Sequence, residues 1–217
     1  MNDKTFDIMI NPFYFRVIPQ LNDQSGEVFC LIHGWSGNEK SMSIFSTALP
    51  KDQLSIFPRG PVVLGENSFA WVDIHAKRKP TFNDYAKVSS ALHTSIFELL
   101  KITISSFPIK KLNLIGFSQG AAVCAVLSKL FPESINKVAL LAGFLPANPP
   151  NYADLPLSKI KYYIAHGTQD KLVEFKKALE LKEYFEKSGA DIIFCQEELG
   201  HKIGSNCLRN LREFFNN

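Results

Sequence analysis

Residues 111–127 read KLNLIGFSQGAAVCAVL, in which an apolar run meets a serine between two glycines and is followed by small helix-forming residues. The run 111–117 has the length and apolar character of a strand buried on both faces, and residues 120–131 favour a helix. In the pattern G-x-S-x-G, the glycines let strand and helix pack closely around a sharp turn that exposes the serine hydroxyl. The pattern therefore predicts a nucleophile at Ser118, against the simpler alternative of a serine that caps the helix.

Strand-like and helix-like segments alternate along the rest of the chain. Further strands are predicted at 13–18, 27–34, 53–58, 137–144, 161–167 and 190–196, and further helices at 84–106, 174–188 and 203–215. This alternation is typical of an α/β fold, with a mostly parallel sheet and helices on both faces. Turn residues at 20–26 predict that the first two strands form an antiparallel N-terminal hairpin. We expect one domain over residues 1–217.

The balance of charges and the lack of targeting signals exclude several classes of partner. The 217 residues carry 24 basic and 21 acidic side chains, which is too balanced for a nucleic-acid-binding surface. The N-terminus has no basic start or long apolar run of the signal-peptide kind, and no stretch is apolar enough to span a bilayer. We expect a soluble, cytoplasmic chain with no nucleic-acid partner and no stable membrane insertion, compatible with a homodimer.

The four cysteines are widely spaced, and three of them lie in apolar segments. They are Cys30, Cys124, Cys195 and Cys207. Such spacing predicts buried free thiols rather than a disulfide framework or a zinc site, and it is consistent with the cytoplasm.

A serine nucleophile needs a base, and the base needs a buried acceptor that holds it in one tautomer. In this strand, turn and helix arrangement, the acid and then the histidine follow the serine along the chain. Two histidines follow Ser118. His201 lies between the last predicted strand and the last helix, where a loop can bring its ring over the sheet edge, whereas His166 ends a strand and is typical of a structural group. We therefore predict His201 as the base.

Three aspartates lie between the serine and this histidine. Asp170 directly follows the carboxyl end of a predicted strand, where a group that faces the base belongs. Asp154 lies in a proline-rich loop, and Asp191 opens a strand at the opposite edge. Asp170 is the predicted acid, although a turn aspartate that caps the next helix has the same local pattern.

Hydrolysis of an ester also needs donors for the oxyanion of the tetrahedral intermediate. The backbone N–H that follows the nucleophile belongs to Gln119, and a second donor usually comes from the loop after an earlier strand. The segment HGWSG, residues 33–37, ends such a strand and makes the Trp35 N–H the predicted second donor. A glycine-rich strand exit without this role is the alternative.

Two long loops, 58–83 and 145–156, follow strands, and the carboxyl ends of parallel strands gather functional loops, so we expect the site at this edge of the sheet. Apolar residues that flank the predicted site are candidate substrate contacts: Trp71, Phe144, Leu145 and Val173. No cysteine, histidine and aspartate spacing indicates a metal site, and neither a dinucleotide fingerprint nor a phosphate loop is present.

Taken together, these motifs resemble those of the α/β-hydrolase superfamily and, within it, the phospholipase/carboxylesterase family that includes the acyl-protein thioesterases. The similar segments are HGWSGN, AWVDIH, GFSQGAA, AGFLP, HGTQDKLV and GHKI, in this order over most of the chain. The resemblance implies Ser118 as nucleophile, Asp170 as acid and His201 as base, with an oxyanion hole at the Trp35 and Gln119 backbones. Trp35 stands where these thioesterases usually have leucine, and Val72 replaces an aromatic residue.

The resulting prediction is an α/β-hydrolase domain without a large cap, since the connections after Ser118 are short. It would cleave a small-molecule carboxylic ester through an acyl-enzyme and without a cofactor. Acyl-protein thioesterase and lysophospholipase are alternatives within the same chemistry. A catalytically silent hydrolase fold that binds a ligand or a protein is an alternative of another class.

Overall fold

A computed structural model describes residues 5–19, 27–51, 53–75, 78–103, 111–151 and 157–216. The strands are β1 Phe6–Ile10, β2 Phe13–Ile18, β3 Val28–Ile32, β4 Leu54–Pro58, β5 Val62–Gly65, β6 Ser68–Ala70, β7 Leu112–Phe117, β8 Ile135–Leu141, β9 Lys161–Gly167 and β10 Asp191–Glu197. The α-helices are α1 Phe82–Thr103, α2 Gln119–Leu130, α3 Phe175–Lys187 and α4 Ser205–Asn216, with short 3₁₀ helices at Ser43–Ala48 and Pro132–Ser134.

Eight of these strands form one sheet in the order β1-β2-β4-β3-β7-β8-β9-β10. Strand β2 is antiparallel to β1 and β4, and the pairs from β4 to β10 are parallel. Strands β5 and β6 form a separate antiparallel ribbon inside the long loop after β4. Within the described ranges, no connection holds a separate cap domain. The predicted α/β-hydrolase fold is confirmed.

The N-terminal hairpin is present, but its strands differ from those predicted. Strand β2 pairs with β1, residues 6–10, which the sequence analysis missed, and β4 lies between β2 and β3. The tight turn at residues 11–12 joins the two strands of the hairpin. The predicted turn at 20–26 lies outside the described residues.

Side chains of the central strands alternate between two apolar cores, one on each face of the sheet. On β7, for example, Leu112 and Leu114 point into the core beneath α1, α2 and α3, which we call the first face. Ile115 points into the core beneath α4 and the 3₁₀ helix Ser43–Ala48, which we call the second face. Because successive strand residues point to opposite sides, a strand that is apolar throughout is buried on both faces.

The prediction of four free thiols is wrong for two of the cysteines. Cys195 on β10 and Cys207 on α4 form a disulfide, 12 residues apart in sequence. Strand β10 and α4 pack together on the second face, so the reversal between them brings the two side chains into contact, which spacing alone does not reveal. Cys30 and Cys124 are free and buried as predicted, and burial raises the pKa of both thiols.

Candidate active site

Ser118 lies at the tip of the turn between β7 and α2, in a backbone conformation that L-residues rarely adopt. Its φ and ψ are 54° and −116°. Such a conformation costs free energy at a non-glycine residue and persists only where the surroundings hold it. The Ser118 N–H donates to the Leu141 carbonyl at 2.8 Å, and the Ser118 carbonyl accepts from the Ala121 N–H at 3.0 Å. The turn is thus held from the neighbouring strand β8 and from the first turn of α2.

The two glycines of the motif are required by close backbone approaches. A Cβ added to Gly116 would lie 2.3 Å from the Gly120 carbonyl oxygen, and one added to Gly120 would lie 2.1 Å from the Ile32 carbonyl oxygen. Both distances are far below van der Waals contact with an atom that cannot rotate away. The glycines therefore let α2 begin directly against the ends of β7 and β3.

The segment after β3 lies beside this turn and is held by hydrogen bonds of the His33 ring. The His33 ring donates through Nδ1 to the Gly34 carbonyl at 2.7 Å and accepts the Gly60 N–H at Nε2, at 2.9 Å. Burial lowers the pKa of His33 to about 4, so the ring is neutral at physiological pH. A Cβ on Gly34 would lie 3.2 Å from the Ser118 Cβ. The backbone that leads into Trp35 therefore runs directly past the serine.

The Gln119 side chain ties the start of α2 to the long loop after β4. Its Oε1 accepts the Trp71 N–H and its Nε2 donates to the Val72 carbonyl, both at 2.8 Å. The Trp71 indole N–H donates to the His33 carbonyl at 2.7 Å, and the ring is buried against Phe13. Trp71 was predicted as a substrate contact, but its side chain is buried in the core and does not line the cavity.

Asp170 and His201 are joined by a hydrogen bond of 2.6 Å from the histidine Nδ1 to the aspartate Oδ2. The other carboxylate oxygen accepts the N–H groups of Leu172 and Val173 at 2.9 and 3.0 Å. Burial alone would raise the pKa of Asp170, but the hydrogen bonds from His201 and from these N–H groups outweigh it and hold the pKa below its usual value. The carboxylate is thus ionised, buried and oriented toward one ring nitrogen.

His166 contacts the same oxygen of this carboxylate as His201 does. Its Nε2 is 2.8 Å from the Val173 carbonyl and 3.3 Å from the Asp170 Oδ2. Since both neighbours are acceptors, the proton lies on Nε2. Burial lowers the pKa of His166, so the ring is neutral. The structure therefore keeps it behind Asp170, away from the cavity, in the structural position that the sequence suggested.

His201 lies in the loop 198–204 between β10 and α4, which we call the base loop. The loop backbone rests on the end of β9, where a Cβ on Gly167 would lie 2.2 Å from the Leu199 carbonyl oxygen. The Cys195–Cys207 disulfide closes the chain around the loop. The His201 ring packs 5.0 Å from the Phe117 ring, centroid to centroid, and so lies over the residue that precedes Ser118.

Ser118, His201, Gln119 and Trp35 line one cavity of about 860 Å³. The Trp35 ring packs edge-on against His75, with 5.4 Å between centroids. Two predicted substrate contacts, Phe144 and Val173, also line this cavity, whereas Leu145 does not. Of the two predicted loops, 58–83 contributes Ile74 to the cavity, whereas no described residue of 145–156 lines it. Residues 76–77 and 152–156, including the alternative acid Asp154, lie outside the described residues.

Sequence reasoning missed one wall of this cavity. It is formed by Met42, Phe45, Phe117, Ile203 and Leu208. Phe117 is adjacent to the serine and could have been found from that position alone. The others come from the 3₁₀ helix Ser43–Ala48 and the residue before it, from the base loop and from α4, and no local motif connects these segments.

The cavity thus holds a serine hydroxyl and a histidine that an ionised aspartate orients, which are the groups that nucleophilic acyl transfer uses. Within the described part of the chain, no group of three or more histidine, cysteine, aspartate or glutamate side chains could hold a metal ion. No helix in those ranges is long and apolar enough to cross a membrane.

Comparison with known proteins identifies the family of the chain. The sequence profile of the Phospholipase/Carboxylesterase family matches residues 15–217. Acyl-protein thioesterase 1 of Candida albicans is 28% identical over 72% of each chain. Acyl-protein thioesterase 1 of Debaryomyces hansenii is 26% identical over 62% of each chain, so the match spans less than two thirds of that relative.

Solved structures share the fold over nearly the whole chain. A carboxylesterase from Bacillus cereus has a TM-score of 0.83 at 21% identity, covering 95% of this chain and 94% of that one. A carboxylesterase from Mesorhizobium loti has a TM-score of 0.82 at 19% identity, covering 97% and 98%. At these identities the likeness establishes the fold.

Proposed function

The chain belongs to the phospholipase/carboxylesterase family, and on this premise we propose that it is a serine hydrolase that cleaves carboxylic esters through an acyl-enzyme on Ser118. The observation that carries the proposal is the hydrogen bond of 2.6 Å between His201 Nδ1 and the buried Asp170, in the cavity that Ser118 also lines. A serine hydroxyl is a weak nucleophile without such an oriented base.

The proposed reaction has two halves. Ser118 attacks the ester carbonyl carbon while His201 takes the hydroxyl proton, and the histidine then gives this proton to the departing alcohol. Water attacks the acyl-enzyme in the same way and releases the acid. Asp170 keeps the proton of the ring on Nδ1, which leaves Nε2 free to accept, and its charge stabilises the imidazolium.

The oxyanion that forms at the carbonyl needs two donors that are already in place. We assign them to the backbone N–H groups of Trp35 and Gln119, since Gly34 packs against Ser118 and Gln119 follows it directly. The hydrogen bonds of the Gln119 side chain with Trp71 and Val72 hold the start of α2 in place. Loss of one such donor typically costs about 3 kcal/mol of transition-state stabilisation.

Acyl-protein thioesterase activity is the second candidate, because both yeast relatives carry that name. The same three residues would cleave a thioester by the same steps, with a thiol as leaving group. Lysophospholipase activity is a further version of this chemistry. The predicted cytoplasmic location and the homodimer stay predictions, and the disulfide is more typical of an oxidising compartment.

The decisive experiment is labelling with a fluorophosphonate, which forms a stable bond with an activated serine. We expect the wild-type chain to be labelled at Ser118 and Ser118→Ala to be unlabelled and inactive, with its thermal unfolding unchanged. Ser90→Ala is the matched control, because Ser90 is exposed on α1, and it should be labelled normally. Unlabelled wild-type protein would favour a silent hydrolase fold that only binds. A panel of esters and thioesters then ranks the two activities.

A further inference from the structure

The cavity lies across the edge of the sheet, and its two walls belong to different cores. Phe144 packs with the core of the first face, where its ring lies 6.2 Å from that of Tyr85. Met42 and Phe45 are buried in the core of the second face and line the same cavity. Three more residues pack against that second core and line the cavity: Phe117, Ile203 and Leu208. We call these three, Met42 and Phe45 the second-face wall.

The second-face wall is preformed. The Phe45 and Phe117 rings are stacked, with 6.3 Å between centroids. The Arg212 guanidinium on α4 donates to the Thr47 carbonyl at 3.1 and 2.6 Å, which joins α4 to the 3₁₀ helix that carries Phe45. The disulfide at Cys207 holds the first turn of α4 against β10. An apolar group that enters here therefore meets a surface that is already assembled.

The position of His201 identifies which part of an ester would lie on this wall. The leaving oxygen must come within hydrogen-bond reach of the ring that protonates it. That ring lies 5.0 Å from Phe117, and Ile203 follows it by two residues, so the substituent on the leaving oxygen extends along the second-face wall. The acyl substituent leaves the carbonyl carbon in another direction, and the other apolar residues of the cavity, among them Trp35 and Phe144, are available to it.

We infer that the second-face wall is a leaving-group subsite and that this enzyme prefers esters of apolar alkyl or aryl alcohols. The inference rests on the proposed function and specifies its substrate class. The side chains of the wall carry no nitrogen or oxygen atom, so a polar peptide leaving group would lose its hydration there without gaining hydrogen bonds. The inference thus favours esters of apolar alcohols over protein thioesters. In the acylation step the Ser118 oxygen bonds to the carbonyl carbon, the bond from that carbon to the alcohol oxygen breaks, and the alcohol departs with the proton from His201.

Two matched ester series test the subsite. One keeps the acyl group as acetyl and lengthens the alcohol from methyl to hexyl, and the other keeps the alcohol as methyl and lengthens the acyl group from acetyl to hexanoyl. Burial of each methylene is worth roughly a three- to fourfold gain in kcat/KM, so we expect the alcohol series to rise steeply over its first members. A flat alcohol series, or faster cleavage of an ester whose alcohol carries a carboxylate, would overturn the inference.

Variants on the two walls separate the subsites. Phe45→Ala should flatten the alcohol series and leave the dependence on acyl length intact, and the matched variant Phe144→Ala should do the reverse. Leu208 is only partly buried, so Leu208→Asn replaces Phe45→Ala as the test of this wall if Phe45→Ala does not fold. Equal effects of Phe45→Ala and Phe144→Ala on both series would contradict the assignment. If the esters are hydrolysed but the rate does not depend on the length of the alcohol, the subsite assignment alone is wrong. If Ser118 is not labelled and no ester is hydrolysed, the proposed function is wrong as well.

Discussion

The turn at Ser118 and the base loop at 198–204 each bring one side chain to the cavity, but different forces hold them. The turn takes its shape from glycines two residues before and after the serine, which let the backbone of α2 touch that of β3. The base loop depends on contacts with distant segments, through Gly167, Asp170 and the disulfide between Cys195 and Cys207. Ser118 is thus positioned mainly by local sequence, and His201 by tertiary contacts.

Of the changes considered, removal of the charge at Asp170, which orients His201, should lower activity the most. Asp170→Asn keeps the shape of the side chain but loses the anion that holds the His201 proton on Nδ1, so we expect kcat to fall about 10³- to 10⁴-fold with the fold intact. Steady-state kinetics and circular dichroism measure the two effects. Asp191→Asn, at the exposed start of β10, is the control and should keep full activity. Near-native turnover of Asp170→Asn would point to Asp154 as the acid.

A methyl group at Gly120 should damage the turn. The added Cβ would lie 2.1 Å from the Ile32 carbonyl oxygen, so α2 must shift away from β3. We expect Gly120→Ala to lower the free energy of unfolding by about 3 kcal/mol or more and to abolish fluorophosphonate labelling. In the base loop, a Cβ on Gly200 meets no atom within 4 Å, and Gly200→Ala should unfold like the wild type. If both variants have the same stability in urea titrations, local backbone contact does not shape the turn.

Loss of the disulfide should weaken the base loop and leave the turn at Ser118 intact. Cross-linking two residues 12 apart stabilises a protein by about 3 kcal/mol in the chain-entropy view. We expect the double variant Cys195→Ala with Cys207→Ala to lose about that much stability and some turnover, and a thiol reductant to lower the Tm of the wild type to the same value.

Cys124→Ala, which alters a free thiol beneath the first face, is the control for this pair and should remain sensitive to the reductant. If the reductant leaves the Tm of the wild type unchanged, and the double variant has the same Tm as the wild type, the base loop does not need the cross-link.

We expect His33, which lies beside the turn at Ser118, to dominate the pH dependence of the free energy of unfolding. Its pKa is about 4 in the folded protein and about 6.5 when unfolded, so the unfolded chain binds more protons between these values. The contribution of His33 to stability is therefore complete above about pH 6.5, and the free energy of unfolding falls as the pH drops, by on the order of 2 kcal/mol at pH 5. Urea unfolding at several pH values measures this slope. His33→Gln should flatten it, and an unaltered slope would assign it to His93 or His166, whose pKa values are also lowered.

Much of the fold could be predicted because its signals are short-range. The apolar runs at 161–167 and 111–117 coincide with β9 and β7 almost residue for residue, since a strand buried on both faces must be apolar throughout. The hairpin strand β1 was missed, because its residues Phe6–Ile10 are mostly exposed and show no clear alternation.

The sequence by itself determined the turn at Ser118, because the residues that shape it lie within a few positions of one another. It also singled out Asp170 and His201, through the order in which a strand, turn and helix arrangement collects its partners. Their roles in catalysis stay predictions until the variants are measured.

Tertiary structure alone decided the rest of the site. Trp71 lies near the serine but turns its ring into the core, because its indole N–H finds the His33 carbonyl there. The Cys195–Cys207 bond and the second-face wall arise where α4 packs back onto the sheet beside the 3₁₀ helix. These contacts join segments far apart in the chain, and only the packing of the folded chain brings them together.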